Sequence, residues 1–448
     1  MTAEEKTDVF ESVPIKRAVL RQIVPAAAAQ LIALVYSLAD TWFVGLLNDP
    51  KETAAVTVAY PSFLMLTALS NLFGVGGAAA LARALGKKKP QEGAETASVS
   101  FWSGLVLAAA FVGVFALLKL PILTLCGAKA ETLKAAAGYA DTAVVMGGVF
   151  TVLSALMANL VRAEGSSFAA SLGLSIGGLL NIALDPLFIL PRFMGMGAAG
   201  AGAATAISNA VSFGFFLIYI RIKRRETAIS LDPKKLSSFK SHIGGILKTG
   251  FPSAVQYALT VVAVAAQARF VSKYGSAAVA GLGIVKKLDQ LPLYLSIGVS
   301  TGLLPLLAYN HAAGNEKRLS EGFRFGVLIS LGSSLICLAA YELFAPQLAG
   351  LFIKDAQTVS YAASFLRRMV TAMPLMSVCY PLIIRFQATG RSREALICSV
   401  LRKGVIDVPL LFLMDALLPL YGLMWVQPIV DGISLVTALL LLKAADKG

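Results

Sequence analysis

The chain has 448 residues, of which 57% are hydrophobic and only 14% are charged, and its mean hydropathy is +0.75. Soluble domains usually carry about a quarter of charged residues, so this composition excludes a soluble protein of this size. Apolar stretches near the roughly 20-residue length that spans a bilayer recur from end to end. The sequence therefore predicts an all-α integral membrane protein.

The formal net charge of +14 would also suit a nucleic-acid-binding protein, but its distribution argues otherwise. Most basic residues fall on one side of the predicted helices. The other side holds seven: Lys51, Lys119, Lys129, Lys134, Arg192, Lys273 and Lys354. Because cytoplasmic loops are enriched in Lys and Arg, we predict a multi-pass protein with both termini inside. We expect a bacterial or archaeal cytoplasmic membrane as its location and no nucleic acid as a partner.

Twelve transmembrane helices are predicted in chain order, and they divide into two lobes of six. The expected ranges are 17–47, 54–82, 98–122, 135–161, 167–191, 195–220, 244–272, 277–310, 325–346, 358–386, 394–414 and 421–442. The corresponding domains are a tail (1–16), an N-lobe (17–222), a basic inter-lobe loop (223–243), a C-lobe (244–443) and a second tail (444–448).

The two halves of the chain resemble one another. Residues 25–44 align with 252–271, and residues 162–170 align with 387–395. Because each half has an even number of helices, both insert in the same orientation, as a pseudo-two-fold repeat about the membrane normal. Such repeats are typical of secondary transporters with a path between lobes. We therefore expect two lobes around a central cavity.

Two carboxylates lie inside apolar helices of the first lobe, Asp40 in predicted helix 1 and Asp185 in helix 5. A buried ionisable side chain in a membrane helix is costly and marks a functional site by default. Asn181 lies one turn from Asp185, and Thr205 of helix 6 is expected at a similar depth. These oxygen-bearing side chains predict a coupling site for a proton or for Na⁺, with the two aspartates as Na⁺ ligands. Capping of helix ends or pairing with a basic residue is the alternative role for the aspartates.

The second lobe buries charges of both signs, for which we expect a C-lobe polar network. Its predicted members are Lys286, Lys287, Asp289, Gln267, Arg402, Lys403, Asp407 and Asp431. Lys286 and Asp289 are three residues apart and Lys403 and Asp407 four, so intrahelical ion pairs are the simplest explanation. Arg367 and Arg368 in helix 10 have no such explanation.

Aromatic and methionine side chains in the first lobe indicate where a substrate could bind. They suit amphipathic cations through cation–π and adaptable contacts. The candidates are Tyr36, Tyr60, Met65, Phe150 and Met157. Packing in the core or against lipid is the alternative for each of them.

Several segments resemble the multidrug and toxic compound extrusion (MATE) family along the whole chain. They are LADTWFVG in helix 1, NLVRAEG after helix 4, LNIALDPLFI in helix 5, GAAGAGAATAISN in helix 6 and PLLAYNHAAGNEKR after helix 8. The helix 1 and helix 5 aspartates are similar to those of the DinF-like branch. The resemblance implies a cation site at Asp40, Asn181, Asp185 and Thr205, cavity residues Tyr36 and Asn159, and a helix 1 bend at Pro25.

One departure from the family is that helices 7 and 10 contain no acidic residue, which argues against a C-lobe sodium site of the NorM kind. The resemblance implies an antiporter that exports amphipathic, mostly cationic drugs in exchange for H⁺ or Na⁺, without a cofactor, as a monomer. A flippase for lipid-linked oligosaccharides or cell-wall precursors is the alternative, since the C-lobe is rich in basic residues. A channel is a further alternative. No catalytic motif is present, so we predict no enzyme activity.

Overall fold

The computed structural model describes residues 8–47 and 49–445, in which every regular element is helical. The outermost parts of the predicted tails, 1–7 and 446–448, lie outside the described residues. The helices are α1 (Ile15–Gly45), α2 (Pro50–Gly86), α3 (Pro90–Leu125), α4a (Ala130–Ala140), α4b (Gly148–Ala163), α5 (Ser167–Ile189), α6 (Ala198–Ile222), α7 (Phe239–Val271), α8 (Ser276–Ala312), α9 (Glu316–Gly350), α10a (Ala356–Met369), α10b (Ala372–Ala388), α11a (Ser392–Val400), α11b (Asp407–Leu417) and α12 (Gly422–Ala445). The predicted architecture of twelve spans in two lobes is confirmed.

Helices 4, 10 and 11 are predicted as continuous, but in the structure each of them is interrupted. The α4a and α4b segments meet at 47°, across a π-helical turn, and α10a and α10b meet at 46°. The two bends occupy equivalent positions in the repeat. A Cβ on Gly147 would lie 2.9 Å from the Cα of Ala206, so the α4 bend lies where α6 packs closely against it. In α11, Lys403 and Gly404 leave the helical conformation altogether.

Several helices extend further than their apolar segments. The third helix starts at Pro90 rather than residue 98, with proline in the first turn, where its missing N–H costs nothing. The ninth starts at Glu316 rather than residue 325, and the Asn315 side chain accepts from the Arg318 backbone N–H at 3.2 Å. Hydropathy alone misses these polar first turns.

The loop between the lobes, residues 223–238, is bound to the N-lobe. Trp102 of α3 donates its indole N–H to the Leu231 carbonyl at 3.1 Å. Thr227 donates to the buried Glu164 carboxylate at 2.6 Å. This loop lies at the same end of the bundle as loops 87–89, 313–315 and 389–391, and we call that end the basic end.

The lobes meet in the half of the bundle nearer the basic end, where α2 and α7 approach backbone to backbone. A Cβ on Gly250 would lie 1.8 Å from the Leu72 carbonyl oxygen, and one on Gly76 would lie 2.2 Å from the Ile246 carbonyl oxygen. No side chain fits at either glycine without moving a helix, so this contact requires glycine.

The contact between α1 and α8 is the pseudo-symmetric counterpart. A Cβ on Gly298 would lie 2.5 Å from the Ala27 Cα, and one on Gly302 would lie 2.8 Å from the Gln22 carbonyl oxygen. These residues also lie in the half nearer the basic end. The two contacts together close the lobes against each other there.

Polar contacts reinforce this closure. Arg83 of α2 donates to the carbonyl oxygens of Gln387 and Ala388 at 3.1 and 3.3 Å. These carbonyls end α10b, where a cation is favoured by the helix dipole. An N-lobe arginine therefore caps a C-lobe helix.

The segment that precedes α1 also crosses to the C-lobe. Phe10 is fully buried, and its carbonyl accepts from Arg318 of α9 at 2.8 Å and from Asn310 of α8 at 3.3 Å. Arg318 also donates to the Val13 carbonyl at 2.7 Å. The described part of the first predicted tail is thus an ordered strap between the lobes.

We predict that Gly250→Ala destabilises the protein by about 1–3 kcal/mol, since the new methyl group would overlap the Leu72 carbonyl. Thermal unfolding of the purified protein in detergent measures the effect. Gly245→Ala in the same helix is the matched control, because a Cβ there meets nothing within 4 Å. Equal melting temperatures for the two variants would contradict the close contact.

Candidate functional site

Close packing of α1 on α5 positions the predicted coupling residues. A Cβ on Gly178 of α5 would lie 2.9 Å from Ile32 and 3.1 Å from Tyr36 of α1. Asp40 follows Tyr36 by one helical turn, and Asn181 follows Gly178 by about one turn. The absence of a side chain at Gly178 therefore brings the polar faces of the two helices together.

Three of the four predicted coupling residues form one hydrogen-bonded group. The Asn181 Nδ2 donates to Asp185 Oδ1 and to Thr205 Oγ1, at 3.3 Å in each case. Asp185 is fully buried, with 0% of its surface exposed, and Asn181 and Thr205 are also buried. A carboxylate, an amide and a hydroxyl from α5 and α6 thus share one enclosed space.

Asp40 of α1 completes the group from the other side. Its carboxylate and that of Asp185 act electrostatically on each other. Three oxygens in this group are buried without a hydrogen-bond partner in the described part of the chain: Asp40 Oδ1, Asp185 Oδ2 and Asn181 Oδ1. A buried acceptor without a donor costs free energy, so a proton or a cation bound between these oxygens would stabilise the group.

Lys287 of α8 approaches this group from the opposite lobe, where we did not expect it. Its Nζ donates to Thr41 Oγ1 at 3.3 Å and acts electrostatically on Asp40. From its position in the sequence, Lys287 is predicted to belong to the C-lobe polar network. Only the contact between α1 and α8 directs it toward the N-lobe, and no local sequence signal indicates that contact.

Tyrosines from both lobes surround the space beside Asp40. Tyr36 and Tyr60 of the N-lobe lie near Tyr294 of α8, and Tyr60 also lies near Tyr257 of α7. Tyr60 has 47% of its surface exposed, so accessible surface reaches the boundary between the lobes at this level. Sequence reasoning missed Tyr257 and Tyr294, because each is a single aromatic residue in an apolar helix.

The remaining predicted cavity residues have packing contacts within the N-lobe. Met157 is fully buried in the N-lobe core, which favours the packing role for this residue. Phe150 packs against Phe213 of α6 with ring centroids 6.3 Å apart, and Met65 is half-buried in α2. Asn159 lies against α2, where a Cβ on Gly74 would meet its side-chain nitrogen at 2.8 Å.

The centre of the C-lobe polar network is a buried ion pair. Arg402 Nε donates to Asp431 Oδ1 at 2.8 Å, and the guanidinium lies 4.2 Å from the centre of the Tyr380 ring. Gln427 donates to the other oxygen of Asp431 at 2.9 Å and accepts from Lys403. Unlike the N-lobe carboxylates, Asp431 has both oxygens paired.

Lys403 and Asp407 interact electrostatically but form no direct hydrogen bond. Lys403 donates to Gln427 of α12, while Asp407 Oδ2 is buried without a hydrogen-bond partner. The break at Lys403 and Gly404 removes the helical spacing on which the prediction depended. Lys286 and Asp289 do act electrostatically on each other.

Gln267, the last predicted member of this network, donates to the Leu423 carbonyl of α12 at 3.1 Å. Two basic residues of the C-lobe lie away from this network: Lys287 faces the N-lobe, and Arg367 lies near Glu342 of α9. Three others, Lys286, Arg402 and Lys403, lie together but share their surroundings with Asp289 and Asp431, so their positive charge is largely balanced.

The two lobes match one family model separately, over residues 25–187 and 252–413, described as MatE. The chain belongs to the MatE family. Proteins of this family are transporters, so this chain is a membrane transporter and not an enzyme. The paired matches also agree with the internal repeat seen in the sequence.

Curated relatives of this MatE transporter cover nearly its whole length. The multidrug export protein MepA of Staphylococcus aureus (strain MSSA476) is 29% identical over 98% of this chain and 96% of its own length. MepA of Staphylococcus saprophyticus is 28% identical, over 98% of this chain and 96% of its own length.

Solved structures share the fold. One is the outward-facing conformation of a multidrug resistance MATE family transporter of the MOP superfamily, with a TM-score of 0.89 and 24% identity over 99% of both chains. Another is a MOP superfamily transporter from Pyrococcus furiosus, with a TM-score of 0.88 and 24% identity over 98% of this chain and 97% of that one.

We predict that Asp431→Asn destabilises this transporter by about 3 kcal/mol, because the buried Arg402 guanidinium would lose its counter-charge. The double variant Arg402→Leu/Asp431→Leu should lose less stability than the sum of the losses for Arg402→Leu and Asp431→Leu, since no charge is then left unpaired. Chemical unfolding in detergent measures each value. Glu92→Gln is the control, because its pair with Lys89 is exposed and contributes little. Additive effects of the two C-lobe substitutions would refute the pair.

Proposed function

We propose that this MatE transporter is an antiporter that exports amphipathic, mostly cationic compounds in exchange for H⁺ or Na⁺. The coupling site consists of Asp40, Asp185, Asn181 and Thr205, as expected for the DinF-like branch. The observation that carries the proposal is the group of three buried, unpartnered oxygens on Asp40, Asp185 and Asn181.

The chemistry of this group suits a proton or a hard monovalent cation. All of its candidate ligand atoms are oxygens, and no cluster of three or more His, Cys, Asp or Glu residues that could hold a metal exists in the described chain. Such donors favour hard cations over transition metals. A proton would neutralise one carboxylate, whereas Na⁺ would be held by Asp40 and Asp185, with Asn181 and Thr205 supplying further oxygens.

The positions of the contacts between lobes explain how binding at this site could drive alternating access. The lobes are closed at the basic end, which we assign to the cytoplasm from the charge of its loops. The exposed space beside Tyr60 then opens to the outside. A cation that enters from outside reaches Asp40 and weakens the attraction of Asp40 for Lys287. Binding of a cation at this site therefore changes the attraction between the lobes as well as the attraction for a cationic substrate.

Pro25 gives α1 a further degree of freedom. The helix is continuous through Pro25, although proline cannot donate a backbone hydrogen bond there. Neutralisation of Asp40 could thus bend the outer part of α1 at little cost and expel substrate from the cavity.

The proposed substrate class rests on the tyrosines at the boundary between the lobes. Tyr36 lies near the carboxylate of Asp40, and Tyr60, Tyr257 and Tyr294 form a chain of neighbouring aromatic residues that begins at Tyr36. Aromatic faces and a carboxylate together attract organic cations. The relatives named multidrug export proteins agree with this class of substrate.

Transport by vesicles tests the proposal. We expect efflux of a cationic dye when a proton gradient or a sodium gradient is imposed on vesicles that contain the protein. Asp40→Asn and Asp185→Asn should each reduce the rate to that of vesicles without the protein, because each removes one of the two carboxylates on which the proposed coupling depends. Asp49→Asn is the matched control, since Asp49 caps α2 away from the site and asparagine caps equally well.

The alternative outcomes are distinct. Dye efflux unaffected by Asp40→Asn and Asp185→Asn would support export but overturn the coupling site. No dye movement under either gradient would overturn the exporter and direct the assay to labelled lipid-linked oligosaccharides. Single-channel conductance without a coupled gradient would overturn antiport.

A further inference from the structure

A groove of about 620 Å³ on the C-lobe plays no part in the proposed transport cycle. It lies between the end of α9, the length of α10a and the start of α12. Its lining includes Pro346, Ser360, Ser364, Arg367, Arg368 and Trp425. The groove therefore contains the two arginines of helix 10 for which the sequence offered no explanation.

The groove faces the bilayer rather than the central cavity. One side of α10a packs on α8, where a Cβ on Gly281 would meet Tyr361 and Ala362 at 3.1 Å. Arg367 lies five residues beyond Ala362 along the helix, which turns it well away from this contact. The neighbouring end of α9 exposes large apolar side chains, among them Leu343 with 70% of its surface exposed. An apolar exposed surface around the groove is the surface that lipid covers.

The arginines reach the level of the membrane interface. Side chains on a helix point toward its N-terminus, which for α10a is the end opposite the basic end. The Arg368 guanidinium lies 4.4 Å from the centre of the Tyr421 ring, in the turn before α12. Tyr and Trp side chains concentrate at the interface between hydrocarbon and headgroups, so Tyr421 and Trp425 mark that level.

The groove carries one unbalanced positive charge. Arg368 donates to the Ser364 carbonyl at 2.7 Å, which fixes its guanidinium. Arg367 lies 3.9 Å from Glu342, and half of its side chain is exposed. One acid near two arginines leaves a net charge of plus one, which complements the single negative charge of a phosphodiester. Arginine is also well suited to bidentate hydrogen bonding of phosphate.

The N-lobe provides an internal comparison. At the equivalent level of the N-lobe, Lys119 of α3 faces Asp141 in the turn between α4a and α4b, and Lys119 Nζ lies 2.6 Å from Asp141 Oδ1. The Lys119–Asp141 pair is in direct contact and has no net charge. The distance in the Arg367–Glu342 pair of the C-lobe is longer, and Arg368 adds a second positive charge there. The excess charge is therefore a feature of the C-lobe alone and not a consequence of the repeat.

We propose that this groove binds the phosphodiester headgroup of an anionic phospholipid, with Arg367 and Arg368 as the hydrogen-bond donors to the phosphate. The acyl chains lie along the exposed apolar end of α9. Arg368 is hydrogen-bonded within α10a and lies over the Tyr421 ring in the turn before α12. A lipid that binds Arg368 and lies along α9 therefore connects the C-lobe helices α9, α10 and α12 at one end of the bundle.

Fluorescence quenching by brominated lipid tests this site in the full-length protein. The chain has three tryptophans, so Trp42→Phe/Trp102→Phe leaves Trp425 as the single reporter in the groove. We expect brominated phosphatidylglycerol to quench Trp425 at a lower mole fraction than brominated phosphatidylcholine. Arg367→Gln should weaken this preference by about fivefold, the effect of one basic residue near an anionic lipid.

The controls separate charge from structure and lipid from free anion. Arg367→Lys should retain the preference, and so should Lys119→Gln, which removes a lysine of the N-lobe pair. Equal quenching by the two lipids, or a preference that survives Arg367→Gln, would overturn the proposal. Displacement of the brominated phosphatidylglycerol by inorganic phosphate would also overturn it, because the groove would then be a site for a free anion.

Discussion

Backbone contact between the lobes is the constraint on which the rest of this structure depends. Gly250 against Leu72 and Gly298 against Ala27 leave no room for a side chain between the helices. Because these contacts lie nearer the basic end, the opposite halves of α1, α2, α7 and α8 can separate. Tyr60 and the carboxylate of Asp40 lie in those halves, and Asp185 lies beside Asp40 in α5.

The two lobes share one repeat but differ in electrostatics. In the N-lobe, α5 is continuous through Asn181 and presents carboxyl and amide oxygens that no side chain satisfies. In the C-lobe, α11 is broken at Gly404, which is the equivalent position, and Arg402 is paired with Asp431. A buried charge that already has its partner gains little from an added ion, whereas an unpaired carboxylate gains much. The difference favours ion exchange in the N-lobe and a structural role for the C-lobe pair.

Contacts across the lobe boundary link the charge of the N-lobe site to the position of one lobe relative to the other. Lys287 of the C-lobe lies beside Thr41 and Asp40 of the N-lobe, and the strap at Phe10 binds to Arg318 of α9. The proposed coupling reaction changes the charge of Asp40 and therefore its electrostatic attraction to Lys287. Bound lipid at Arg367 would act elsewhere, on the packing of the outer C-lobe helices, and its removal should affect stability more than coupling.

The sequence by itself determined the features that depend on composition and spacing. Hydropathy predicts the twelve spans, the alignment of the two halves predicts the two lobes, and helical spacing predicts that Asn181 and Asp185 share one face of their helix. Only the tertiary structure decided where α4, α10 and α11 break, that Met157 is buried in the core, that Lys287 lies beside Asp40, and that Arg367 and Trp425 line one groove. The physical reason is that hydropathy and helical spacing report properties of one helix, whereas a bend, a burial or an ion partner is set by the neighbouring helix that packs against it.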